Sequence, residues 1–183
     1  LKIENEKSLT NWLLINPSVQ EFIASEYLPG RNYACKLLYW EGKLIQAACG
    51  ERVNYIMSKV APSGITGNTS FGRLLNRPDL YEISKRAMEI LVKKVGCQKH
   101  GFFTVDLKEN SDGIPLITEI NVRMVAFNNC FAIGGANFTD SIIKLLNGEK
   151  VEKNPVLHQF NEGQIFLRDV DEKPILMQEN DLL

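Results

Sequence analysis

The chain has 183 residues, of which 44% are hydrophobic and 23% charged, and its formal net charge is −1 at pH 7. This length is enough to bury the core of one domain, and the balanced charge gives no global field that would attract nucleic acid or an anionic membrane. No apolar run reaches the roughly 20 residues of a membrane-spanning helix, and the four scattered cysteines lack zinc-site spacing, which predicts reduced thiols in a cytoplasmic protein.

The first elements along the chain are short. The apolar spacing predicts a helix over residues 8–15, which Pro17 ends. A strand is predicted over residues 20–28, before the turn dipeptide Pro29-Gly30. Two β-rich runs, at 32–40 and 43–50, flank a tight-turn signal and therefore predict a hairpin.

The middle of the chain combines a loop with a long helix. An extended segment is predicted at 52–60, and a glycine-rich and serine-rich loop at 61–73. The strongest helical pattern covers residues 79–95. Asp79 is the predicted N-cap, with Glu82 completing a capping box, and Gly96 is the predicted C-terminal stop.

The last part of the chain returns to strands. A hairpin is predicted over residues 102–121, followed by a loop at 124–136 and a helix at 139–146. Weaker strand signals follow at 163–168 and 174–177. Because most neighbouring strands are joined by hairpins, the sequence predicts one α+β domain over residues 1–183. Its sheet is expected to be largely antiparallel, with helices packed on one face.

One polar cluster stands out from the hydrophobic pattern of the 102–121 hairpin. Asp106 lies on its first strand, while Glu119, Asn121 and Arg123 occupy alternate positions at the end of the second. Alternate residues of a strand point to the same face, so the hairpin is expected to bring these four side chains together. Two carboxylates, an amide oxygen and a guanidinium suit a hard divalent cation bridged to phosphate oxygens.

These residues resemble the metal-binding hairpin of the ATP-grasp superfamily. The pentapeptide from Glu119 to Arg123, E-I-N-V-R, is similar to the form found in carbamoyl-phosphate synthase large chains, biotin carboxylases and amino-acid ligases. The segment at residues 25–33, S-E-Y-L-P-G-R-N-Y, resembles the family's hinge strand and the turn after it. The resemblance covers about residues 20–148 and implies the C-terminal subdomain of an ATP-grasp fold, followed by a C-terminal extension.

The resemblance implies a site for ATP and Mg²⁺ or Mn²⁺. Asp106, Glu119 and Asn121 would hold the metal, and Arg123 would be catalytic by stabilising charge on the transferring phosphoryl group. A purine ring needs an apolar slot with matching backbone groups, which the hinge segment offers. The expected cofactor-binding residues are Glu26, Tyr27, Leu28, Asn32 and Lys36. Asn32 stands where the family commonly has a carboxylate for the ribose hydroxyls, and it offers no charge assistance.

The implied function is an ATP-dependent carboxylate ligase that forms an acyl phosphate, which an amine-type nucleophile then displaces. The expected partners are a small-molecule carboxylate and that nucleophile. The family's upstream half, with its glycine-rich loop, is expected to be missing from this chain, so the chain alone is predicted to be inactive. The alternatives are a non-catalytic ATP-grasp-like binding or assembly module and a generic metal-binding β domain. The sequence leaves open whether the protein forms a homo-oligomer.

Overall fold

A computed structural model describes residues 2–60, 66–151, 155–169 and 172–182. The strands are β1 (Asn32–Trp40), β2 (Lys43–Tyr55), β3 (Thr69–Leu75), β4 (Gly101–Glu109), β5 (Pro115–Asn121), β6 (Gln164–Leu167) and β7 (Ile175–Gln178). The helices are α1 (Glu6–Leu14), α2 (Pro78–Val95), α3 (Asn128–Ile133), α4 (Phe138–Leu146) and a 3₁₀ helix (Glu179–Leu182). The strands pair antiparallel in the order β5-β4-β1-β2-β3-β6-β7, which confirms the predicted α+β class.

Strand β1, in the interior of the sheet, is buried on both faces. Tyr33, Cys35 and Leu37 pack with residues of α2 on one face, whereas Ala34 and Leu38 pack with residues of α3 and α4 on the other. The prediction that helices cover only one face was therefore wrong. The reason lies in the sequence of β1, which is apolar at consecutive positions and so needs cover on both sides.

Aromatic rings fill the α3 side of the sheet because the strands beneath them carry glycine. The rings of Phe127 and Phe166 stack with their centroids 4.6 Å apart. A Cβ on Gly72 would lie 2.1 Å from Cζ of Phe166, and a Cβ on Gly50 would lie 3.0 Å from Cζ of Phe131. These close approaches let the rings lie directly on the backbone of β2 and β3.

Several predicted elements are present with small boundary shifts. The first helix begins two residues early because Asn5 and Ser8 form a capping box. Both predicted hairpins, the helix before Asn147 and the two C-terminal strands are also found. None of the helices in the described segments combines the length and apolarity needed to cross a membrane.

Four segments differ from the prediction. The extended segment predicted at 52–60 is strand only to Tyr55, where β2 ends, and residues 56–60 form turns. Residues 20–28 form no strand, because β5 and β7 are the edges of the sheet and nothing pairs with this exposed segment. In the predicted loop at 61–73, residues 61–65 lie outside the described residues, while Thr69–Leu75 pairs with β2 and β6 as β3. The predicted loop at 124–136 contains the short helix α3.

The long helix α2 begins one residue before its predicted cap. Its N-cap residue is Arg77, which makes no capping hydrogen bond, and Pro78 starts the first turn. Asp79 instead pairs with the guanidinium of Arg77, with an Nε–Oδ1 distance of 2.7 Å, so the predicted capping box is absent. Gly96 ends the helix in the left-handed conformation, as predicted.

A candidate metal and phosphate site

The β4–β5 hairpin brings the predicted metal ligands together. Asp106 and Glu119 are directly opposite each other in the register, and Asn121 lies opposite Thr104. The Nδ2 of Asn121 donates to Oδ2 of Asp106 at 3.3 Å. Alternation along β5 therefore places all three predicted ligands on the same face of the sheet, as the sequence suggested.

Arg52 is a further member of the cluster, beyond the predicted metal and cofactor residues. It lies on β2, and its Nη2 donates to Oδ1 of Asp106 at 2.6 Å. The register pairs Arg52 with Asn32 of β1, and Asn32 with Lys108 of β4, so the side chain crosses β1 to reach Asp106. No local signal identifies this contact, because it depends on the pairing of three strands.

The carboxyl group of Asp106 is largely withdrawn from water. Burial raises its pKa above the ordinary value, the charge of Arg52 opposes that effect, and the neighbouring Glu119 adds to the increase. A carboxylate in this position is stabilised by added positive charge. The electrostatics of Asp106 therefore favour a bound cation beside it.

Asp106, Glu119, Asn121 and Arg52 line one cavity of about 670 Å³. Its described lining contains two carboxylates, from Asp106 and Glu119, and four cationic side chains, from Arg52, Lys108, Arg123 and Arg168. The rest of the lining is formed by Asn32, Tyr55, Thr66, Gly67, Asn68, Thr118, Asn121, Met124, Val125 and Ala126. The excess of cationic groups around a carboxylate pair suits a polyanion that binds together with a metal ion.

The donor set fits Mg²⁺ or Mn²⁺. Hard divalent cations prefer oxygen ligands, and Mg²⁺ is usually held by one or two carboxylates together with substrate phosphates. The described residues contain no group of three His, Cys, Asp or Glu side chains placed to hold a metal. Two carboxylates with the amide of Asn121 match a metal that shares its coordination with phosphate, and rotation of that amide would present its oxygen.

Arg123 lies at the end of β5, at the rim of the cavity. Its side chain is exposed, and its Nη1 donates to the carbonyl oxygen of Met124 at 3.1 Å. The hydroxyl of Thr104 donates to the carbonyl oxygen of Arg123 at 3.4 Å, which ties its backbone to β4. A guanidinium has five N–H donors, so this single contact leaves capacity for an anionic ligand.

The predicted cofactor residues are divided between two cavities. Asn32 lines the cavity of Asp106. Glu26 and Tyr27 line a separate cavity of about 420 Å³, together with Trp12 and Phe22. Leu28 is half-buried and belongs to neither of these two linings.

A residue of one lining lies near a residue of the other. The Nζ of Lys108, which lines the cavity of Asp106, lies 5.6 Å from the ring centroid of Tyr27. The hinge segment is thus beside the site but outside its lining. Because the segment is not a strand, its position does not follow from the sheet.

Lys36 is not among the described residues that line the cavity of Asp106. It is fully buried, and its Nζ donates to the carbonyl oxygen of Ala126 at 3.1 Å and to Oδ1 of Asn128. Burial, assisted by the charge of Arg52, lowers its pKa well below the ordinary value. The Nζ lies near the rings of Phe127 and Phe131, and the contact of Lys36 with the cofactor stays a prediction.

Known structures share this architecture. The N5-carboxyaminoimidazole synthetase of Staphylococcus aureus, solved with ADP, matches 90% of this chain with a TM-score of 0.64 and 15% identity. The biotin carboxylase domain of a thermophilic 2-oxoglutarate carboxylase, bound to bicarbonate, matches 90% with a TM-score of 0.62 and 15% identity. Phosphoribosylamine–glycine ligase of Thermotoga maritima matches 78% with a TM-score of 0.55 and 19% identity.

The comparisons establish the fold. This chain covers 42%, 38% and 36% of the lengths of those three structures. No family model matches the sequence, and no curated protein matches it significantly. The chain has the fold of ATP-grasp proteins, which confirms the structural part of the resemblance seen in the sequence.

Proposed function

We propose that this chain forms the metal-binding and phosphate-binding part of an ATP-dependent carboxylate ligase of ATP-grasp type. The observation that carries the proposal is the convergence of Asp106, Glu119, Asn121 and Arg123 on one cavity with a cationic lining. The structural neighbours include enzymes solved with ADP and with bicarbonate, which supports a nucleotide and a small carboxylate as ligands.

Each residue has a distinct role in this proposal. Asp106, Glu119 and Asn121 would hold Mg²⁺, which when bound neutralises charge on the terminal phosphates of ATP. Arg52 opposes the increase that burial causes in the pKa of Asp106, and its hydrogen bond fixes the orientation of the carboxylate. Arg123, which lies at the rim with free donor capacity, stabilises negative charge on the phosphoryl group and on the acyl phosphate.

The proposed route requires no nucleophile from the protein. The carboxylate substrate attacks the terminal phosphorus of ATP and releases ADP, and an amine then displaces phosphate from the acyl phosphate to form a carbon–nitrogen bond. Catalysis of this reaction depends on positioning and charge stabilisation, which the cationic lining of the cavity can supply.

Calorimetric titration of the 183-residue chain with ADP and with a non-hydrolysable ATP analogue, with and without Mg²⁺, tests the proposal. We expect binding that requires Mg²⁺ and that weakens at least about tenfold, or 1.4 kcal/mol, in Asp106→Asn and Glu119→Gln. Asp140→Asn is the matched control, because Asp140 is exposed on α4 and pairs with Lys144 at 2.8 Å.

The remaining outcomes favour the alternatives. Nucleotide binding that ignores Mg²⁺ and both substitutions would indicate a non-catalytic binding module. Binding of Mg²⁺ without any nucleotide would indicate a simple metal-binding domain. If the wild type binds neither, the proposal is wrong.

A further inference from the structure

The buried amine of Lys36 links β1 to the loop that follows β5. Its Nζ donates to the carbonyl oxygen of Ala126 at 3.1 Å and to Oδ1 of Asn128. It also lies 4.7 Å from the ring centroid of Phe127 and 4.8 Å from that of Phe131. The four contacts place the Nζ between two acceptor oxygen atoms and two aromatic rings.

These contacts lie on both sides of Phe127, whose backbone conformation is rare for residues other than glycine. Phe127 has φ +59° and ψ +21°, the left-handed region, and it begins α3 without a side-chain cap. Such a conformation persists where the surroundings hold it in place. Lys36 binds the residue on each side of Phe127, and the Nδ2 of Asn128 donates to the carbonyl oxygen of Val125 at 2.8 Å. The backbone from Val125 to Asn128 is therefore tied to β1.

The same loop forms part of the proposed phosphate site. Met124, Val125 and Ala126 line its cavity directly after Arg123. The ring of Phe127 lies 5.7 Å from Cζ of Arg52, the partner of Asp106. A shift of this loop would move both the cavity wall and the Phe127 ring against which the Arg52 guanidinium packs.

We propose that Lys36 is a positioning residue of the phosphate site, which holds the Val125–Asn128 loop in the conformation that shapes the cavity and seats Arg52. This inference rests on the proposed function for its effect on ligand binding, but its effect on the loop is independent of any ligand. In this proposal Lys36 acts on the site through the loop, by its contacts with Ala126 and Asn128.

The test compares Lys36→Met with the control Leu38→Met, a substitution at a buried position on the same face of β1. The first readout is hydrogen exchange of the nucleotide-free protein. The amides of Cys130 and Phe131 donate to the carbonyl oxygen of Phe127, so they report opening at that residue. We expect both amides to exchange at least about tenfold faster in Lys36→Met, while β1 and β4 amides stay protected.

The second readout is the affinity for the Mg²⁺ complex of the ATP analogue, which we expect to fall about tenfold in Lys36→Met and to stay unchanged in Leu38→Met. Unchanged exchange at Cys130 and Phe131 would overturn the inference. Faster exchange with unchanged affinity would also overturn it, because the loop would then have no influence on the site. Should Lys36→Met fail to fold, the same two measurements are made on Asn128→Ala, which removes one of the two hydrogen-bond acceptors of Lys36.

The two proposals fail in distinguishable ways. If the wild type binds no nucleotide, the proposed function fails together with the positioning role. The exchange experiment would still show whether Lys36 holds the loop. If the wild type binds the Mg²⁺–nucleotide complex and the Lys36 and Asn128 variants bind it equally well, the proposed function stands and the positioning role fails.

Discussion

Arg52 on β2 reaches across β1 to bind Asp106 on β4, with 2.6 Å between Nη2 and Oδ1. Both side chains are only 13% exposed, so water screens the pair weakly. The contact holds the carboxylate that faces Glu119, and it joins three strands of the sheet at the proposed metal site. Structure and charge in the site are therefore coupled through one ion pair.

Loss of Arg52 is expected to destabilise the fold. Arg52→Ala leaves the carboxylate of Asp106 without its partner in a poorly solvated position, which should lower the free energy of unfolding by about 3 kcal/mol. The double variant Arg52→Ala/Asp106→Asn should recover part of that loss, since no unpaired charge remains. Urea unfolding of the wild type, both single variants and the double variant measures the coupling. Additive losses would show that the pair contributes no stability of its own.

Loss of Arg123 is expected to affect ligand binding without affecting stability. Its side chain is exposed and makes one hydrogen bond, to the adjacent residue Met124. A charge-assisted contact to phosphate is worth about 1.5 kcal/mol, so Arg123→Ala should weaken binding of the Mg²⁺–nucleotide complex about tenfold. Calorimetry measures the affinity, and thermal unfolding should show an unchanged midpoint. Arg86→Ala, an exposed arginine on α2, is the control, and equal affinities in the two variants would remove Arg123 from the site.

A methyl group at Gly72 should disrupt the aromatic layer. Its Cβ would lie 2.1 Å from Cζ of Phe166 and 2.4 Å from the carbonyl oxygen of Glu51, which belongs to the backbone of β2 and cannot rotate away. We expect Gly72→Ala to lower the free energy of unfolding by about 3 kcal/mol, the upper end of overpacking costs. Ser70→Ala, on the same strand, should change it little. Denaturant unfolding decides, and a wild-type midpoint for Gly72→Ala would show that β3 accommodates the extra volume.

Stability should fall at alkaline pH because of Tyr33. Burial and the hydrogen bond to Glu109, 2.5 Å between Oη and Oε1, raise the pKa of Tyr33 to about 12. Between about pH 10, the ordinary tyrosine pKa, and pH 12, the unfolded chain loses this proton while the folded chain keeps it. The free energy of unfolding therefore decreases as pH rises through this interval, and the contribution is complete below pH 10.

Tyr33→Phe isolates this effect, because it removes the titrating hydroxyl and keeps the ring. Urea unfolding at a series of pH values from 9 to about 12 should give a shallower slope for the variant than for the wild type. Parallel slopes would show that Tyr33 titrates normally in the folded protein. The comparison is needed because Tyr55 and Tyr81 also have raised pKa values and contribute to the wild-type slope.

The parts of the fold that the sequence predicted well are those with local causes. The 102–121 hairpin follows from alternation and a tight turn, and the stop of α2 follows from a glycine that adopts φ +73°. Strand β3 and helix α3 were missed for the opposite reason. Residues Thr69–Leu75 form a strand only because β2 and β6 lie on either side. The N-cap of α3 is Phe127 in the left-handed region, which no propensity would indicate.

The site divides in the same way. Asp106, Glu119 and Asn121 belong to one hairpin, so their spacing alone predicts that they share a face. The partner of Asp106 and the position of Lys36 depend on how β1 aligns with β2 and β4, which pairs residues far apart in the chain. The hinge residues Glu26 and Tyr27 line another cavity, and their segment pairs with no strand among the described residues, so their part in nucleotide binding stays a prediction.

By itself, the sequence determined the class of the fold, the antiparallel hairpins and the three oxygen-bearing residues of the candidate metal site, because alternation and turns act over a few residues. Only the tertiary structure decided that Arg52 binds Asp106, that Lys36 binds the loop at Ala126, and that glycines make room for the aromatic layer. These features depend on strand register and on the volume between packed layers. Both are set by contacts between distant segments, which no local pattern encodes.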